Sequence, residues 1–129
     1  MKKPVIFTMT EEVYKPQVVI AYGTNFDEFY GYINKRWELD PRVKEELEEG
    51  WGGKRGTTYE IKTTNEGILF AIWFDTEDFG FGVLAHEAFH LVCSILRTKG
   101  MSLSEASEEG FAYYMEFWAR QIAERLKLK

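Results

Sequence analysis

From Val83 to Leu96 the sequence reads VLAHEAFHLVCSIL, and only His86, Glu87, His90 and Ser94 in it are polar. No glycine or proline interrupts the run, and its apolar residues recur at helical spacing, which predicts about four turns of helix. A helix apolar nearly all round is expected to lie buried, so the rest of the chain has to supply a cover for it. Burying two imidazoles and a carboxylate in such a helix is costly unless they find partners, and one divalent cation satisfies all three.

His86 and His90 are the only histidines among the 129 residues. One helical turn apart, both imidazoles reach one tetrahedral zinc ion, while Glu87 falls beside the metal, where a carboxylate takes a proton from bound water. Two histidines scattered at random fall at this spacing, with Glu second, in about 0.2% of arrangements. His86 and His90 are therefore candidate metal ligands and Glu87 a candidate general base. The competing structural reading is a pair of histidines that is merely solvated or part of the core. Cys93, nearly in line with His86 but about 10.5 Å further along the axis, reads as a core thiol.

A third protein ligand has to come from another element, because three ligands on one helix cannot surround an ion and leave a position open. Arg97-Thr98-Lys99-Gly100 is a helix stop, and Ser102 with Glu105 three residues later reads as the capping box of a second, antiparallel helix. Along that helix Glu105, Glu109, Tyr113, Glu116 and Arg120 share one side, and Phe111, Tyr114, Met115, Trp118 and Ile122 the other.

The stretch Ser107 to Glu116 resembles the glutamate-liganded zincins, or gluzincins, whose aminopeptidase branch carries N-E-G-F-A-x-Y-x-E on its second zinc helix. Glu109, Gly110, Phe111, Ala112, Tyr114 and Glu116 match it, and residues 91–108 between His90 and Glu109 give the spacing typical of that branch. The resemblance covers only Gly82 to about Trp118. It implies a zincin-like α+β fold, Zn²⁺ as cofactor, Glu109 as third ligand with Glu108 as the alternative, and a peptide or protein as substrate. Glu108 stands where the family has Asn. Glu116 matches the family's acidic residue, which could support a ligand histidine or simply pair with Arg120. No G-x-M-E-N sequence is present to hold a free amine, so an endopeptidase is expected. In size and layout the chain is similar to small stand-alone zincin-like proteins of phages and prophages. Family members use a Tyr or His from a later segment as oxyanion donor. With no third histidine here, Tyr113 and Tyr114 are the candidates, ahead of Tyr22 and Tyr59. The lack of an evident donor keeps an alternative open, a zinc-holding binding or assembly module without peptidase activity.

The first half reads as scaffold. Pro4–Met9 and Gln17–Tyr22 are β-branched and aromatic runs, hence two strands. Thr24 or Asn25 caps a helix from Phe26 to Trp37, and Asp40-Pro41 opens another that stops at Gly50. The glycine-rich 50–56 leads into a strand rather than a helix, which argues against a phosphate loop and for a connector, or for a mobile loop whose Trp51 covers a bound chain. Thr57–Thr63 and Ile68–Phe74 form a hairpin around Asn65 and Gly67. Ile68–Phe74 is apolar on both faces and is expected inside the sheet or under a helix. In zincins the strand before the active-site helix usually offers its edge to substrate. If this strand is central, Thr57–Thr63 is the alternative. Asp75 and Asp78, just before the zinc helix, read as helix caps or as acceptors for the outer N–H of a ligand histidine.

Together these patterns predict one α+β domain over 1–129, with a small mixed or antiparallel sheet packed on helices and the two ligand-bearing helices antiparallel. A net charge of −5 with scattered cations, including the terminal Arg125, Lys127 and Lys129, argues against a nucleic-acid partner. One cysteine rules out an internal disulfide, and the apolar run after Lys3-Pro4 is too short for a signal peptide or membrane span. A cytoplasmic location without a membrane partner is therefore expected. The sequence leaves oligomeric state and substrate-binding residues open.

Overall fold

The computed structural model describes residues 3–77 and 79–127. The fold is α+β, and its contacts gather into two compact units, Met1–Asp78 and Phe79–Lys129.

The first unit is built from β1 (Val5–Met9), β2 (Gln17–Tyr22), α1 (Phe26–Arg36), α2 (Pro41–Glu49), β3 (Gly56–Lys62) and β4 (Ile68–Phe74). The strands form one sheet in the order β1-β2-β4-β3. β1–β2 and β3–β4 pair antiparallel and β2–β4 parallel, so the sheet is mixed. The double-sided apolar pattern of Ile68–Phe74 has its consequence here: β4 is interior and, apart from Ile68, buried along its length. Both edges of β4 are taken, so no substrate strand can pair along it, and β3, the alternative, lies at the edge of the sheet.

Local chemistry sets the helix starts. Asn25 Oδ1 accepts from Glu28 N at 2.8 Å and Glu28 Oε1 accepts from Asn25 N at 2.9 Å, which satisfies two otherwise orphaned donors. Asn25, not Thr24, is thus the cap, and the Thr24 carbonyl takes the Trp73 indole N–H instead, at 2.9 Å. Asp40 Oδ1 accepts from Arg42 N at 2.9 Å with Pro41 just inside the helix, where its missing N–H costs nothing.

One face of the sheet carries Val19, Ala21, Ile61, Leu69, Ala71 and Trp73, clustered with Phe26, Phe29, Ile33 and Trp37 from α1 and its end and Leu47 from α2. Trp51 belongs to this cluster. Its ring lies 4.7 Å from that of Trp73, 5.0 Å from Phe29 and 5.3 Å from Phe26, and it stacks on Tyr59 at 6.5 Å. The glycine-rich segment is therefore an anchored connector. Trp51 is committed to the core rather than held ready to cover a bound chain.

The second unit is a pair of contacting helices, α3 (Phe81–Thr98) and α4 (Glu108–Arg125). α3 ends where expected, with Gly100 in the left-handed region at φ 80° and Met101 N donating to Leu96 O at 2.9 Å. Its burial corrects the expected all-round enclosure. Leu84, Ala88, Leu91 and Ile95 are fully or almost fully buried, whereas Phe81, His86, Phe89 and His90 are exposed.

α4 begins at Glu108, six residues after the Ser102 that reads as its cap. Ser107 Oγ donates to Ser102 O at 2.7 Å and accepts from Ser104 N at 2.9 Å. The serines thus bond to one another's neighbourhood in a turn, which competes with helix formation and leaves Glu105 ahead of α4. Among the described residues no helix is long and apolar enough to cross a membrane.

Candidate metal centre

The histidine pair stands on the exposed side of α3, one turn apart. The two Nε2 atoms are 3.3 Å from each other, with the rings edge-to-face at 74° and centroids 4.8 Å apart. Two ligands on a tetrahedral ion with bonds of about 2.0–2.1 Å are separated by about 3.3–3.4 Å, a length that the separation of the two nitrogens matches. Without an ion, the same separation suits a hydrogen bond in which one ring's N–H donates to the other ring's bare nitrogen.

Glu87 lies differently. Its side chain is only 6% exposed against 67% for His86, yet its Oε2 is 3.8 Å from His86 Nε2, the nitrogen that faces His90. The helix explains the contrast, because a residue one step from His86 is turned by about 100° and leaves the exposed side. A sheltered carboxylate therefore lies beside the His86 nitrogen that faces His90.

The third ligand is not brought to this pair. Glu108 and Glu109 are exposed in the first turn of α4, and among the described residues no three His, Cys, Asp or Glu side chains gather closely enough to hold an ion. Glu116 is ion-paired with Arg120 one turn on, the simpler of its two expected roles. Asp75 Oδ1 accepts from Glu77 N at 3.4 Å, a local turn at the end of β4, and Asp78 lies outside the described residues. Of the tyrosines, Tyr113 is 68% exposed and Tyr114 packs edge-on against Trp118 at 6.3 Å. Tyr22 and Tyr59 belong to the first unit, Tyr59 in its aromatic cluster. Cys93 is half-buried, and desolvation, opposed by Arg97, pushes its thiol above the ordinary value.

Sequence reasoning did not single out the hollow beside the pair. Phe89 and Val92 of α3, Leu103 of the link, and Glu108, Phe111, Ala112 and Met115 of α4 line an apolar cavity of about 200 Å³. Phe89 borders it, with its ring 6.2 Å from that of His90. The available signal was a large aromatic placed between two histidines, which helical periodicity assigns to a flank and not to a cavity wall.

Comparison with protein-family models, curated proteins and solved structures finds no match.

Proposed function

We propose that the chain is a zinc-dependent metallopeptidase, an endopeptidase on peptide or protein substrates, with His86 and His90 as ligands and Glu109 as the third. The observation that carries this reading is the 3.3 Å separation of the two Nε2 atoms with the Glu87 carboxylate 3.8 Å from one of them. A zinc ion held there supplies a Lewis acid that polarises a carbonyl and makes water acidic near neutrality. Glu87 takes the proton from the attacking water and returns it to the leaving amine. Its burial keeps that carboxylate in one place, so little ordering remains to be done at the moment of reaction.

Helix geometry supports Glu109 and Glu116 as the acids of the same flank. On α3 the cavity-lining Phe89 and Val92 mark the direction toward α4, and His86 and His90 stand about a quarter to a third of a turn round from it. On α4 the stripe Glu108, Phe111, Ala112 and Met115 marks the direction toward α3, and Glu109 and Glu116 stand about a quarter of a turn or slightly more round in the same sense. In an antiparallel pair, equal turns bring both sets to one side. The first turn of α4 would then have to move to deliver Glu109, whereas Glu108 lines the hollow.

The test is Glu87→Gln in the zinc-loaded protein, assayed on an unfolded test protein. Cleavage is expected to fall by about 10²–10⁴-fold with zinc content unchanged. Undiminished cleavage in the variant would overturn the role of Glu87. Zinc retained by a wild type that cleaves nothing would favour a binding or assembly module over a peptidase.

A further inference from the structure

The histidine pair is half of a coordination shell. His86 and His90 supply two nitrogens 3.3 Å apart on the exposed side of α3, and among the described residues no three His, Cys, Asp or Glu side chains gather closely enough to hold an ion. A zinc ion held by this pair alone keeps two of its four positions for water, whereas sites that hold zinc firmly fill three or four of them from side chains.

The stripe of α3 that carries the pair is open to a second protein. Phe81 and Phe89 on it are 57% and 41% exposed, with Gly82, Ala85 and Cys93 completing it. From Phe81 to Ser94 the only charged residue is Glu87, whose side chain is 6% exposed. No fixed charge on this stripe therefore repels a protein that approaches the rings.

Another copy of the same chain matches what is missing. It brings two more imidazoles already set at the length of a tetrahedral edge, whereas the chain's own Glu109 has to be moved into place. Opposite edges of a tetrahedron are exchanged by a two-fold axis through its centre, so one ion on that axis takes His86 and His90 from both copies of a symmetric dimer. Charge closes as well. Four neutral imidazoles leave the double charge of Zn²⁺ unchanged, and the two Glu87 carboxylates, each 3.8 Å from a His86 Nε2, balance it.

From these observations, and resting only on the zinc-binding part of the peptidase reading, we infer that two copies of the chain share one zinc ion through His86 and His90 of each when zinc is scarcer than protein. The shared form has all four positions filled by imidazole, so it holds no water to activate and is inert as a peptidase. As zinc rises to one ion per chain, mass action splits the dimer and each copy keeps its own ion with a position open.

The test follows mass and ligands together. Wild type is titrated from no zinc to one equivalent, with sedimentation velocity for the mass and zinc K-edge absorption for the ligands. At half an equivalent a dimer with four imidazole nitrogens at about 2.0–2.1 Å is expected, and at one equivalent a monomer. A chelator is expected to return the dimer to monomer. His90→Ala, at an exposed position where the fold loses little, is expected to stay monomeric at every zinc level. A monomer at half an equivalent, with zinc on two imidazoles and the remaining chains metal-free, overturns the shared ion and leaves the metal centre of the peptidase reading intact. A dimer that ignores the chelator or persists in His90→Ala rests on other contacts and also overturns it. Zinc that does not bind overturns both readings. A shared ion formed as expected, in a protein that cleaves nothing at any zinc level, keeps the inference and overturns the peptidase.

Discussion

The two units differ in how much of their aromatic surface they bury, although the second also has a core pair in Trp118 and Phe111. In the first, Phe26, Phe29, Trp51, Tyr59 and Trp73 lie ring against ring in one cluster on the sheet. In the second, Phe81, Phe89, Tyr113 and Phe117 stay substantially exposed around a helix pair that carries the only two histidines. The same residue type serves as core in one place and as surface in the other. The difference separates apolar surface packed within the chain from apolar surface left open to solvent.

Substitutions can break or sharpen this contrast. Phe29→Ala removes a fully buried ring in contact with Trp51 and Tyr59 and is expected to cost about 3–5 kcal/mol in denaturant unfolding. Phe89→Ala, the same chemical change on the exposed side of α3, is expected to cost less than about 1 kcal/mol in the same measurement. Comparable losses from both would erase the distinction. Smallest of all is Arg120→Ala. Its pair with Glu116 lies on the surface, with side chains 59% and 57% exposed, and breaking it is expected to change stability by no more than about 0.5 kcal/mol. A larger loss on unfolding would show that Glu116 is held for more than a surface pair.

Much of the first unit is legible in the sequence because local chemistry and tertiary packing agree there. The Asn25–Glu28 capping box, the Asp40-Pro41 start and the two-sided apolar strand Ile68–Phe74 each place an element within a residue or so. The parallel pairing of β2 with β4 is not legible, because register across a crossover depends on the whole sheet and not on either strand. Trp51 escaped for a related reason: glycines on both sides read as freedom, yet one large ring seated among four others anchors the loop.

In the second unit the histidine motif and its spacing stand out at once, and the rotation of Glu87 away from the exposed side follows from helical geometry alone. The start of α4 does not follow. Ser102 and Glu105 satisfy the pattern of a capping box, but Ser104 and Ser107 offer the backbone a competing set of bonds, and the helix begins only where that network ends. Exposure of the histidines was hidden by the apolar residues around them, since periodicity gives the faces of a helix without saying which face is covered.

Zinc K-edge absorption on protein loaded with one equivalent of zinc, compared with His86→Ala and His90→Ala, tests the central claim most directly. Wild type is expected to show two imidazole nitrogens at about 2.0–2.1 Å together with oxygen from a carboxylate, and each variant to lose one nitrogen and at least about 100-fold in affinity. Zinc that fails to bind, or that binds equally well without either histidine, would contradict it.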